Sequence, residues 1–323
     1  MDIPNPRPLR TAADRSLSVG REPKKVITGY VALLAVISLL TVILDYIIST
    51  QLDNAVGLSN LGLNSLLSTF QLVLPLVQTL AILCLNLGHE AALLRISRGQ
   101  YADHTDLKAG LDRFWPLLRM TLLQTALFLA LSFVLVYPCA ILFMMTPFSA
   151  GFMELYSSLT VLDESSILQL YSTLEPMMIL FVIVYFIVCI PIYFHLRLAN
   201  FVLLDHPRAG AMFAMRESFR MMRKNCVNLF KIDLRLWWYY ALTAGLLVVS
   251  YGNLLLPLLG VALPWSAEIS LYIFYVLYLA GTLAVEYLLR NRVQMTYIQV
   301  YEALRPKEAP QQGVILGNIF QKL

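Results

Sequence analysis

The stretch VITGYVALLAVISLLTVILDYIIS, residues 26–49, carries a single charged side chain, Asp45. As a helix rising 1.5 Å per residue it is about 36 Å long, enough to cross roughly 30 Å of hydrocarbon. It shows no alternation at period two, and lipid offers no partner for unpaired backbone groups, so the run predicts a membrane-spanning helix. Five further apolar runs of spanning length lie near 67–93, 116–146, 176–203, 234–259 and 267–289. The 323-residue chain is 59% hydrophobic and 14% charged, against about 45–50% and 25% for soluble domains. The expected fold class is therefore an all-α membrane protein with six transmembrane helices arranged as three hairpins. The domains are a basic arm (1–25), a membrane domain (26–305) and a C-terminal tail (306–323).

Basic residues set the orientation. The arm 1–25 holds six of the 24 lysines and arginines, the stretch after the second span five, the segment Arg197–Arg235 eight and the end of the chain five. Loops 50–66, 147–175 and 260–266 hold none. By the positive-inside rule both termini are cytoplasmic and these three loops face outward. With 13 of the 20 acids placed inside, the inner side carries 24 − 13 = +11 and the outer side −7, which sums to the formal +4. The basic arm followed by an apolar run resembles a secretory signal, but the run is too long for a signal core and no small-x-small site follows, so it reads as an uncleaved anchor. Cys84, Cys139, Cys189 and Cys226 lie in spans or on the inner side and imply neither disulfides nor a CxxC centre.

Amphipathic stretches lead into the outward spans. In 208–226, Met212, Met215, Phe219, Met222 and Cys226 share one stripe while Arg216, Arg220, Arg223 and Lys224 take the other face. This is the pattern of a helix in the headgroup plane. A second stretch begins at Thr105, read as an N-cap, with Leu107, Leu111, Phe114 and Leu118 on its apolar side and Pro116 separating it from the third span. The arm supplies a third around Ala12–Val19. Each precedes a hairpin, so a threefold repeat is expected; the positive-inside rule alone also produces this pattern. Ser166-Ile-Leu-Gln169 reads as a capping box opening a short outer helix. In the tail, Val314, Ile315, Ile319 and Phe320 are candidates for docking on a partner or the membrane.

Motifs for chemistry are absent. His89-Glu90 opens like a zincin signature, but Leu93 stands where the second histidine belongs. His104, His195 and His206 have no ligand partner at helical spacing. No phosphate loop, GxGxxG or GxSxG occurs. No catalytic residue, metal site or cofactor is indicated, and nothing points to nucleic acid. What remains is a set of ionisable groups near the inner ends of the spans: Glu90, Arg119, Asp233, Arg235 and Glu286. A charge near the bilayer centre costs roughly 2.5–3.5 kcal/mol. The five either form a buried cluster lining a cytoplasm-facing cavity, or snorkel and staple helices together without a ligand. Gln71, Gln78 and Asn86 share one face of the second span, beside Pro75, as a permeation path or as interhelical hydrogen bonds. Asp45 is expected to reach the outer headgroups. Trp237, Trp238, Tyr239 and Tyr240 mark an interfacial belt.

The run Ser218-Phe-Arg-Met-Met-Arg-Lys-Asn225-Cys-Val-Asn-Leu229-Phe230-Lys-Ile-Asp233-Leu234, entering a tryptophan-rich span, resembles the signature of a bacterial membrane family known only as domain of unknown function 975. Leu94-Arg95-Ile-Ser-Arg98-Gly99 is similar to that family's basic turn after the second span, and Met295-Thr-Tyr297-Ile-Gln-Val-Tyr301-Glu302 to its closing segment. The resemblance covers roughly 10–305 and implies a six-helix membrane protein, with no catalytic residues to carry over.

Three functions fit these observations. The first is a non-enzymatic protein of a bacterial cytoplasmic membrane that organises or binds lipids, anionic ones included, or a membrane protein partner, through the headgroup contacts Arg216, Arg220, Arg223 and Lys224. Each such cation is attracted to anionic lipid by about 1 kcal/mol. The second is a small permease or transporter subunit with a polar cavity open to the cytoplasm. A membrane-embedded enzyme is the third.

Overall fold

The computed structural model describes residues 6–18, 22–54, 61–147, 149–150, 164–206, 208, 210–258 and 267–305. The docking residues expected in the tail lie outside them, as do the side chains of Ser166 and Gln169.

Among the described residues the secondary structure is all helical. In chain order it consists of α1 (Pro6–Ser18), α2 (Glu22–Asn54), α3 (Leu61–Ser97), a 3₁₀ turn (His104–Lys108) running into α4 (Ala109–Asp112), α5 (Phe114–Met144), α6 (Glu164–Leu196), α7 (Ala199–Asp205), α8 (Ala211–Met222), α9 (Cys226–Arg235), α10 (Trp237–Ser250), α11 (Gly252–Leu258), α12 (Ala267–Val285), a π-helical segment (Glu286–Arg290) and α13 (Asn291–Leu304). Five helical stretches are long and apolar enough to cross a membrane, or six if the bent pair α9–α10 is one span. Their large apolar side chains face outward, Leu72 at 71% exposure and Ile187 at 66%. Such surfaces are tolerated in lipid and not in water. This is a multi-pass membrane protein.

The fifth span departs from the sequence expectation. The run 234–259 reads as one helix, yet the chain bends by 65° between α9 and α10. α9 is amphipathic and turns Leu229 and Ile232 inward, with Leu236 buried at the bend. The helix before the bend therefore ends at Arg235. α10 has 14 residues, or about 21 Å, too short to cross the core alone. The N-cap of the 104–112 stretch also moves. Asp103, not Thr105, caps it: its carboxylate accepts from the His104 N–H at 2.8 Å, and Asp106 returns the bond by accepting from the Asp103 N–H at 3.0 Å. The break before the third span falls at Arg113, and Pro116 sits in the first turn of α5, where its missing N–H costs nothing.

The described residues form two compact units: those of 1–112 with 227–323, and those of 113–226. In the first unit α2 packs along α3, α10 along α12, and α13 against α1 and α3. Val26, Tyr30, Leu34, Leu85, Ala92, Ala102 and Leu107 form one apolar cluster. Two glycines let the 104–112 stretch lie directly on α3. A Cβ on Gly88 would sit 2.0 Å from the Leu107 carbonyl oxygen, and one on Gly110 would sit 1.8 Å from that of Cys84. Gly99, at φ +69°, ends α3 in a left-handed turn, with Gly99 and Gln100 N–H groups donating back to Ile96 and Arg95. In the second unit α5 packs along α6, and α8 packs on α5, α6 and α7. Arg113 donates to the Leu203 and Leu204 carbonyls at the end of α7.

Candidate functional site

Among the described residues of the first unit, three cavities share walls. The first, about 490 Å³, lies among α2, α3, α10 and α12 and is lined by Asp45, Tyr46, Ser49, Gln78, Tyr272 and Tyr275 among others. The second, about 220 Å³, is lined by Tyr30, Ser38, Gln78, Tyr275, Tyr278, Thr282, Glu286 and Arg290 with apolar neighbours. The third, about 350 Å³, reaches Tyr240 and Thr243 of α10 and shares Tyr278, Thr282 and Glu286 with the second. Gln78 and Tyr275 border the first two. Shared walls make these a row. Tyr30 and Asp45 stand fifteen positions apart on α2, so the row extends along about 22 Å of the helix.

Helical periodicity builds the walls. On α2 the residues Tyr30, Leu34, Ser38, Thr41, Asp45 and Ser49 recur every three or four positions and share one face. Tyr275, Tyr278, Thr282 and Glu286 do the same on α12 and its π-helical continuation. On α3 the amide stripe serves all along its length: Gln71 Nε2 donates to Ser49 Oγ at 3.5 Å, Gln78 lines two cavities, and Asn86 Oδ1 accepts from the Tyr30 hydroxyl at 2.9 Å.

The row ends on a buried ion pair. Arg290 Nη1 donates to both carboxylate oxygens of Glu286, at 2.8 and 2.9 Å. Tyr30 Oη lies 3.1 Å from Glu286 Oε2, and the Arg290 guanidinium lies over the Tyr30 ring, 5.5 Å from its centre. These residues frame the π-helical segment Glu286–Arg290, a register frequent at functional sites because it turns side chains off the α-helical face. Asn291 supports that register: its Nδ2 donates to the carbonyls of Glu286 at 3.3 Å and Tyr287 at 3.0 Å. Its Oδ1 therefore faces His89 Nε2, 2.8 Å away. An amide oxygen only accepts, so the hydrogen sits on His89 Nε2. The fully buried His89 ring stacks on Tyr30 at 4.2 Å. Among the described residues, His89 Nδ1 and Arg290 Nε have no hydrogen-bond partner.

Of the five ionisable groups singled out in the sequence, Glu90, Asp233, Arg235 and Glu286 lie in the first unit and Arg119 in the second. Glu286 and Glu90 are buried, and Glu286 lines the second and third cavities. Asp233 accepts from the Tyr297 hydroxyl, which lies 2.7 Å from that of Tyr240 on the third cavity. Arg235 is exposed on α9, and Arg119 is exposed on α5 in the other unit. Equal depth along a span does not put residues on the same face. The partner of Glu286 is Arg290, one turn on, which marks only the end of a span in the sequence. The sequence reading missed Tyr30; the signal that could have found the rest of the α2 stripe is Ser38, Thr41, Asp45 and Ser49 at helical spacing inside an apolar run.

In the second unit Arg216, Arg220, Arg223 and Lys224 are exposed. α8 buries Ala211, Ala214, Ser218 and Met222, while Met212 and Phe219 stay 64% and 48% exposed next to the cations. The apolar stripe of the sequence thus divides, Met222 inward and Met212 and Phe219 outward. Cys226 Sγ lies 3.4 and 3.5 Å from the two ring nitrogens of His195. Near-equal distances place the sulfur over the ring face, off both lone pairs, so the contact is sulfur–aromatic and not a nucleophile–base pair. No protein-family model, curated protein or solved structure matches the chain.

Proposed function

We propose that the chain is a small permease or transporter subunit of a bacterial cytoplasmic membrane, with six spans and both termini cytoplasmic, whose first unit carries a solute path. The family resemblance of Ser218–Leu234 belongs to the same proposal. One observation carries it: three cavities with shared walls, two between α2, α3 and α12 and the third between α10 and α12, run to the Glu286–Arg290 pair. A bilayer protein that needs only packing gains nothing from such a row, because each buried polar group costs free energy unless it is paired or wet. The test needs no known substrate. In a background with the four native cysteines replaced, Ser38→Cys and Thr282→Cys should react with a small membrane-impermeant thiol reagent at least ten times faster than Leu72→Cys on the lipid face. Equal, negligible rates at all three would remove the path. Alkaline phosphatase fused to the C-terminus should be inactive; an active fusion would reverse the proposed orientation.

A second reading has its own support. Met212 and Phe219 beside Arg216, Arg220 and Arg223 make an interfacial surface suited to anionic lipid. Replacing Arg216, Arg220, Arg223 and Lys224 together by Gln should lower retention of anionic lipid in native mass spectra several-fold; unchanged retention would leave these cations with an orienting role only.

A further inference from the structure

We infer that the solute recognised in the cavity of about 490 Å³ is an organic cation, a small alkylammonium held by Asp45 against the faces of Tyr46, Tyr272 and Tyr275. The inference rests on reading the row as a solute path and adds its substrate class. Among the described residues that line this cavity, Asp45 is the only charged one. The three tyrosines surround the same space, with Tyr46 and Tyr272 edge to face, 6.1 Å apart at 74°. Aromatic faces carry negative quadrupole potential and attract ammonium groups, more strongly where water is excluded. An anion would meet a carboxylate and no cation here. A volume of about 490 Å³ falls within the usual range for small-molecule sites, about 300–1,000 Å³.

The charge of the whole row agrees. Its lining residues contribute Asp45 and Glu286 against Arg290, a net of −2 + 1 = −1. A single positive charge brings that sum to zero, and Asp45, Tyr46 and Tyr272 are exposed on the cavity wall, where a solute can reach them. Deeper along the row the same chemistry continues. Tyr275 passes from the first cavity to the second, where Tyr278 and Tyr30 add ring surface and Ser38 and Gln78 add polar groups. The second cavity is smaller, about 220 Å³, which restricts passage beyond Tyr275 to compact cations.

The experiment uses the full chain in lipid nanodiscs and tetraethylammonium as the probe, measured by equilibrium dialysis against empty nanodiscs. Saturable binding is expected, weakened at least ten-fold by Asp45→Asn and severalfold by Tyr272→Leu with Tyr275→Leu. Tyr275→Phe, which keeps the ring, should bind within about two-fold of the native chain. No binding above empty nanodiscs, or equal binding by Asp45→Asn and the leucine pair, overturns the inference. Thiol labelling at Ser38→Cys separates the two proposals: fast labelling without cation binding keeps the path and rejects the substrate class, and failure of both rejects both.

Discussion

The two units handle buried polar groups differently. Among the described residues of the unit of 113–226 the buried polar side chains are Ser218 and Asn225, and each donates to a backbone carbonyl, those of His195 and Met221. They satisfy the main chain and leave the rest of that core to Leu117, Met120, Phe143, Phe201 and their neighbours. In the other unit Ser38, His89, Glu90, Ser270, Glu286, Asn291, Gln294 and Thr296 are buried, and several of them bond to side chains and border cavities. Both units meet lipid with the same apolar surface. What separates them is the polarity of the inward face, on which the proposed solute path rests.

The sharpest way to break that contrast is to remove one member of the buried pair. Glu286→Ala leaves the Arg290 cation without its carboxylate in a largely buried site, a loss of about 3–5 kcal/mol, read as a lower Tm in detergent. The double variant Glu286→Ala/Arg290→Leu should recover most of it. The matching pair in the other unit, Arg220 with Glu217, has its arginine 69% exposed, so Arg220→Ala should cost under about 1 kcal/mol. Equal Tm shifts for Glu286→Ala and Arg220→Ala would erase the difference between the units.

A steric contrast comes next. Gly88→Ala drives a methyl group to 2.0 Å from a backbone oxygen, which neither rotamer change nor side-chain movement relieves. A destabilisation of about 3 kcal/mol is expected. Gly210→Ala, where nothing lies within 4 Å of the new Cβ, should leave the Tm within about 1 °C by the usual scale of surface changes. Smaller again is Asn291→Ala, which strips the donor from two carbonyls of the π-helical turn and orphans His89 Nε2, at about 1–3 kcal/mol. Asn225→Ala, its counterpart, should cost about 1 kcal/mol.

The helices were legible because a lipid solvent demands long apolar runs, and residues 26–49 alone establish that solvent. The bend at Leu236 was not, for a physical reason. α9 turns Leu229, Ile232 and Leu236 inward, so its apolar side merges in composition with the run that follows, and no proline or glycine punctuates the junction. The site was half legible. Gln71, Gln78 and Asn86 follow helical spacing, and all three face the α2 side of the first unit. Tyr30 was hidden because an aromatic in an apolar run reads as packing, and Arg290 because a cation at the end of a span reads as an anchor. Arg119 and Arg235 were singled out on depth alone, which carries no information about azimuth around a helix, and both side chains are exposed.

The smallest expected effect lies at the turn that docks on α3. Asp103 holds its carboxylate below the usual range because the His104 backbone N–H donates to it, with the His104 ring also in contact. A carboxyl group whose pKa is lower folded than unfolded stabilises the fold at pH above its unfolded value, about 3.9, and loses that contribution as the pH falls through the folded value. Acidification below about pH 4 should therefore weaken amide-exchange protection across His104–Lys108 while protection within α2 holds. Asp103→Asn keeps an oxygen acceptor that does not titrate, so its protection at 104–108 should become insensitive to pH in that window. Loss of protection in Asp103→Asn as steep as in the native chain would assign the acid effect to Asp106 or to the Arg95–Asp106 bridge. Since Gly88 and Gly110 bring this turn into backbone contact with α3, a weakened cap should also raise exchange at Cys84–Gly88, coupling a surface carboxylate to the helix that carries Asn86 and His89.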